Sequence, residues 1–133
     1  MLVAVADTHT VIWYLAADVH LSRTAQQFIN QTALNGDQIG ISGISFIEIV
    51  YLIDKGRIPA NTFNKLISEL NKPESLFLEI PVDTDIATTL QRVDGKQIPD
   101  MPDRIIAATA LRYGVVLISR DRKIKLSTIN TIW

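Results

Sequence analysis

Four acidic side chains, Asp7, Glu48, Asp103 and Asp121, each stand where an apolar run ends or where a helix is expected to begin. Carboxylates are hard oxygen donors that repel one another when crowded, and a divalent cation relieves that repulsion. The chain has no cysteine and only 2 histidines, His9 and His20. Thiolate nucleophiles and thiolate metal sites are therefore excluded, and an all-oxygen donor set suits Mg2+ or Mn2+ better than zinc. Neither histidine has a partner that would indicate histidine-based acid–base chemistry. Arg120, Arg122, Lys123 and Lys125 crowd around Asp121, and Arg104 follows Asp103. Cations flanking an acidic site can hold phosphates on either side of a reacting bond, although such a cluster equally suits a solvated turn.

These acids meet only if regular elements carry them to one place. Leu2 to Ala6 predicts a short buried strand, and Asp7 offers an N-cap to a helix holding Val11, Ile12, Trp13 and Leu15. Leu21 and Ser22 predict the staple and cap of a second helix reaching about Leu34, ended by Gly36. A second strand is expected over Ile39 to Ser42. A third helix opens at Ser45 to Glu48 and runs to about Lys55, and a fourth begins at Pro59 and stops before Pro73. Leu76 to Ile80 predicts a third strand, Asp83 caps a helix with Ile86, Ala87, Leu90 and Val93, and residues 94–101 read as an exposed loop. Pro102 to Tyr113 is expected as a helix stopped by Gly114, Val115 to Ile118 as a fourth strand and Thr128 to Ile132 as a short edge strand. Strands alternating with helices point to a parallel sheet covered on both faces. In such a sheet, strand carboxyl ends and helix N-termini share one edge, where ligands collect. All four acids fall on that edge.

Each acid also has an ordinary structural role. Asp7 suits an N-cap. Ser45 and Glu48 form an S-x-x-E capping box, but on a helix that Phe46, Ile47, Ile49, Val50, Leu52 and Ile53 make apolar nearly all round, so a carboxylate buried there needs a partner or a metal. Asp103 sits at the third position of a helix capped by Asp100, where the helix dipole is expected to keep it ionised. Asp121 fits a turn. Trp13 and Tyr14 could stack on bases, although Trp13 reads more naturally as core, and His9 as packed within the first helix.

The bulk numbers bound the answer. A chain of 133 residues with 47% hydrophobic side chains suffices for one domain, spanning 1–133, with a real core. With 13 basic against 14 acidic residues the chain is not a polycation, so contact with nucleic acid rests on a local basic patch. Met1 to Ala6 lacks the features of a secretory signal peptide, and no apolar run approaches a membrane span. A cytoplasmic location is expected.

Asp7-Thr8-His9-Thr10-Val11-Ile12-Trp13-Tyr14-Leu15 resembles the opening of PIN-domain nucleases, especially the toxin subunits of VapBC-type toxin–antitoxin pairs. Ser45-x-x-Glu48 is similar to their second acidic motif, Asp103-Arg104-Ile105-Ile106-Ala107-Ala108-Thr109-Ala110 to the third, and Ser119-Arg120-Asp121 to the fourth. The resemblance covers nearly the whole chain. It implies an α/β/α sandwich around a parallel five-stranded sheet of order 3-2-1-4-5, with Mg2+- or Mn2+-dependent endoribonuclease activity. It also implies an RNA substrate, a cognate antitoxin that covers the active-site groove, and a homodimer. Carried over by position, Asp7, Glu48, Asp103 and Asp121 become the catalytic and metal-binding residues. Arg104, Arg120, Arg122, Lys123 and Lys125 become candidates for holding substrate, and Thr8, Ser45, Asp100 and Ser119 candidates for supporting the acids.

Other folds also put acids at strand ends. A phosphotransfer receiver wants adjacent acids after the first strand, and a haloacid-dehalogenase-like phosphatase wants Asp-x-Asp, where this chain has His9 in the second place. Both fit poorly. The more serious rival is a non-catalytic PIN-like module that binds RNA without cutting it.

Overall fold

The computed structural model describes residues 1–133. Five parallel strands, β1 (Leu2–Ala6), β2 (Gln38–Ser42), β3 (Phe77–Ile80), β4 (Val116–Ile118) and β5 (Thr131–Ile132), form one sheet of order β3-β2-β1-β4-β5. The helices are α1 (Thr8–Leu15), α2 (Arg23–Leu34), α3 (Gly43–Asp54), α4 (Thr62–Leu70), α5 (Thr84–Leu90), α6 (Met101–Tyr113) and α7 (Arg122–Lys125). The sheet is the expected one, with β1 at its centre. Ala6 pairs with Ile41 on one side and Ile118 on the other.

Strand side chains alternate between the two faces, and the core divides accordingly. Ala4, Ala6, Ile39, Ile41, Phe77 and Ile118 pack with Val11, Ile12, Ala25, Ile29, Ile49 and Leu66 of α1 to α4. Val5, Ile80 and Leu117 pack on the other face with Ile86, Ile106, Ala107, Ala110 and Ile124 of α5, α6 and α7. This is the predicted α/β/α sandwich. No helix is long and apolar enough to cross a membrane.

The structure departs from the sequence reading in several places. The cap of α3 is Ser42, whose side chain accepts from the Ile44 N–H, so Ser45 and Glu48 do not form a capping box. Nor is α3 buried all round. Ile49 is fully buried, but Ile47, Val50 and Tyr51, at i, i+3 and i+4, are 53%, 43% and 63% exposed. Pro59 lies in a turn before α4, where its carbonyl accepts from Thr62 Oγ1. α5 ends at Leu90, ahead of Val93. The basic stretch after Asp121 is a one-turn helix, α7, rather than a plain turn.

Gly114 ends α6 in the left-handed region, at φ 64° and ψ 34°. A Cβ there would meet no atom within 4 Å, so only backbone strain opposes a side chain. Gly114→Ala is expected to destabilise the protein by about 1–2 kcal/mol, read as a lower urea midpoint at constant slope. A neutral result would mean that the αL cap is not maintained.

Candidate active site

The chain runs outward from β1 to β2 and β3, then returns to the far side of β1 for β4. That reversal leaves a crevice at the carboxyl ends of β1 and β4, the usual ligand position in open α/β sheets. Asp7 N–H donates to the Ile118 carbonyl at 3.1 Å, extending the ladder one residue past the end of β1. Thr10 Oγ1 donates to the same carbonyl at 3.0 Å. The start of α1 is thus tied to the end of β4.

A cleft of about 610 Å³ opens at this edge, lined by Asp7, Thr8, His9, Trp13, Glu48, Ile98, Pro99, Asp100, Asp103, Arg120, Asp121, Arg122 and Lys123. All four expected acids are there, with Asp100 as a fifth. Three are fixed by one oxygen each. Asp7 Oδ1 accepts from Thr10 N–H at 2.9 Å as the α1 cap. Asp121 Oδ1 accepts from Lys123 and Ile124 N–H at 2.8 and 3.1 Å as the α7 cap. Glu48 Oε1 accepts from Thr8 Oγ1 at 2.5 Å. Thr8 Oγ1 also lies 2.9 Å from Ser45 Oγ. A hydroxyl has one proton, so with Thr8 donating to Glu48, Ser45 donates to Thr8. The second oxygens of Asp7, Glu48 and Asp121 make no hydrogen bond to protein, and no buried polar side-chain atom is left without a partner. These oxygens therefore face the open cleft.

The electrostatics favour a positive guest. Burial raises the pKa of Asp103, and the carboxylates of Asp100, Asp121, Glu48 and Asp7 raise it further, to about 7. The helix dipole, expected to keep Asp103 ionised, is outweighed by desolvation and by the acidic neighbours. Burial likewise raises Glu48, partly offset by the Thr8 hydrogen bond. Asp103 and Glu48, whose charged forms are disfavoured first by burial and then by neighbouring carboxylates, stand beside free carboxylate oxygens in one cleft, and a hard divalent cation would relieve that cost. No three of these side chains, however, are already drawn together around a single point as a closed ligand cluster.

The basic residues separate. Arg120, Arg122 and Lys123 line the cleft, but Lys125 does not. Arg104 turns away: Nε donates to the Val93 carbonyl and Nη2 to the Leu90 carbonyl, both at 3.0 Å. It closes the C-terminal end of α5 and leaves the candidate substrate set. Ser119, fully buried, accepts from Asp121 N–H at 3.0 Å and shapes the turn that presents Asp121. Asp100 Oδ2 accepts from Asp103 N–H at 3.0 Å as the α6 cap. Trp13 packs against the core as expected but also lines the cleft, and His9, expected to pack within the first helix, is exposed there, beside Ile98 and Pro99. Only the position of His9 two residues after Asp7 hinted at this.

Known proteins share this sequence family and fold. The PIN domain family model matches residues 4–127. The chain is 26% identical over 125 residues to Ribonuclease VapC22 of Mycobacterium tuberculosis, covering 94% of this chain and 92% of that one. It superposes on a chain from the crystal structure of VapBC2 from Rickettsia felis bound to a promoter DNA fragment, with a TM-score of 0.72, 17% identity, and coverage of 98% and 97%. A chain of DNA-bound VapBC from Salmonella typhimurium gives a TM-score of 0.69 at 20% identity, again covering 98% and 97%.

Asp103 sets a pH dependence whose sign follows from its raised pKa. Between its ordinary value near 3.8 and about 7, the folded protein holds a proton that the unfolded chain releases. That stabilisation is complete at low pH and is lost as pH rises through about 7. Chelator-treated protein should therefore lose thermal stability across this window relative to Asp103→Asn. Parallel Tm–pH curves for the two proteins would show that Asp103 titrates normally.

Proposed function

The chain belongs to the PIN-domain family, and from that premise we propose that it is a Mg2+- or Mn2+-dependent endoribonuclease, acting in the cytoplasm as the toxin of a toxin–antitoxin pair. Residues 1–133 form the one nuclease unit in this reading. The observation that carries it is the convergence of Asp7, Glu48, Asp103 and Asp121 on one cleft edged by Arg120, Arg122 and Lys123.

Asp7 and Asp103 would hold the principal cation, with Glu48 and Asp121 completing the acidic set around it. When bound, the cation polarises the scissile phosphate and eases deprotonation of the attacking water. The protein's own residues do the positioning. Thr10 N–H fixes Asp7, Thr8 fixes Glu48, and Ser119 with the α7 N-terminus fixes Asp121. Arg120, Arg122 and Lys123 hold RNA phosphates beside the cut. Hydrolysis by this route leaves a 5′-phosphate and a 3′-hydroxyl and does not use the substrate's 2′-hydroxyl as nucleophile.

The ribonuclease name of VapC22 and the VapBC origin of the superposed chains support an RNA substrate and an antitoxin partner. The exposed Ile47, Val50 and Tyr51 of α3 support contact with a second copy of the chain. The rival reading, RNA binding without turnover, draws on the absence of a closed three-ligand cluster.

Cleavage of an RNA panel separates the two readings. Activity that requires Mg2+ or Mn2+ and stops with EDTA supports the enzyme. RNA retention without cutting in either metal supports the module. Asp103→Asn should lower the cleavage rate by about 10²–10³-fold with an unchanged circular dichroism spectrum. A variant as fast as the parent removes Asp103 from the chemistry. Arg122→Ala and Lys123→Ala should each weaken RNA binding and reduce the slope of log K against log salt by about 0.7, the single-strand value per phosphate contact. Unchanged slopes would take these side chains out of the substrate surface.

A further inference from the structure

Arg120 lines an acidic cleft yet pairs with none of its acids. The ion pairs of the protein are Met1 amino–Asp37, His20–Asp18, Lys72–Glu69 and Arg112–Asp85, all outside the cleft. The Arg120 guanidinium instead lies over the Trp13 ring, 4.9 Å from its centroid, within cation–π range. The indole is itself held from several sides. It packs against the core of α1 to α4 and has the His20 ring stacked at 5.4 Å and 23°, with the Trp133 and His9 rings tilted at 5.7 and 5.5 Å. An exposed arginine thus rests on an aromatic platform that other rings and the core pack against at the cleft wall.

Resting on the nuclease reading, we propose that Trp13 is a positioning residue that keeps Arg120 off the cleft carboxylates and aims its guanidinium at an RNA phosphate next to the scissile one. Charge makes the alternative concrete. An unsupported arginine beside Asp7, Glu48, Asp103 and Asp121 would fold onto them, occupying oxygens that face the cleft and withdrawing a cation from the substrate. An arginine over an indole stays fully charged and keeps its N–H donors for a phosphate. Trp13 therefore separates two charge systems that would otherwise neutralise each other.

The test is equilibrium binding of a labelled single-stranded RNA in EDTA, across a range of KCl concentrations, with the full chain. Arg120→Ala is expected to lower the slope of log K against log salt by about 0.7, the loss of one phosphate contact. Trp13→Leu should lower it by the same amount although it removes no charge. The double variant should match either single one, and Trp13→Phe, which keeps an aromatic face, should restore most of the slope. A purely structural tryptophan would instead reduce affinity without changing the slope. A parental slope for Trp13→Leu, or further loss when Arg120→Ala is added to it, overturns the proposal. If Trp13→Leu fails to fold, as judged by circular dichroism, the decision rests on Trp13→Phe and on Trp13→His, and slopes for both no higher than that of Arg120→Ala overturn it. Wild-type protein that binds no RNA at any salt concentration overturns this inference, and the nuclease reading falls with it only if the same protein also fails to cleave RNA with Mg2+ or Mn2+, whereas an Arg120-dependent slope that ignores Trp13 overturns only the inference.

Discussion

The cost of gathering carboxylates in one partly desolvated cleft is the constraint around which this molecule is organised. Five acids, Asp7, Glu48, Asp100, Asp103 and Asp121, line one cleft, and burial first, then the other four acids, raise Asp103 to about 7. A fold that only needed stability would scatter such groups or pair each with an arginine. Here the arginine adjoining Asp103 in sequence is spent on backbone carbonyls of another helix. That cost is left for something else to relieve, which distinguishes a site from a surface.

The scaffold holds the acids without satisfying them. Every anchoring bond takes one oxygen: Asp7 at the start of α1, Asp121 at the start of α7, and Glu48 through Thr8. Helix N-termini suit this task because their free N–H groups fix a carboxylate and the local dipole favours its charged form. Thr8 links two elements at once, since it stands at the first position of α1 and reaches Ser45 and Glu48 on α3. The same first turn is bound to β4 through the Ile118 carbonyl. The first turn of α1 thus ties Asp7 to Glu48 on α3 and to the end of β4, so the same hydrogen bonds serve fold stability and site geometry.

Much of this was legible in the sequence because strand–helix alternation and cap residues are local signals. The run from Leu2 to Asp7, the Gly114 stop and the Asp100 cap each depend on a few adjacent residues, and each held. The failures are all tertiary. Ser42 and Ser45 both precede an apolar helix, and only the strand boundary decides which one caps it. The apolar side chains of α3 say nothing of which neighbours cover them, and Ile47, Val50 and Tyr51 turn out uncovered. Arg104 looked like a phosphate ligand because it adjoins Asp103, but successive residues on a helix point about 100° apart. The apolar neighbours of Trp13 indicate core, and it does pack there, but its ring also forms part of a cleft wall assembled from residues far apart in the chain.

The contrast between Arg104 and Arg120 shows how the protein keeps its acids available. A solvent-exposed ion pair contributes about 0–1 kcal/mol, whereas an arginine over an aromatic face contributes about 0.5–1 kcal/mol when exposed and about 2 kcal/mol when desolvated. The two are close enough that local geometry decides which an arginine makes. Arg104 is removed by hydrogen bonds to Leu90 and Val93, and Arg120 by the ring of Trp13. Arg122 and Lys123, carried on the α7 turn that Asp121 caps, line the cleft with exposed side chains and form no ion pair with its acids. No nearby cation is paired with the acids, and the free carboxylate oxygens stay open to a guest from solution.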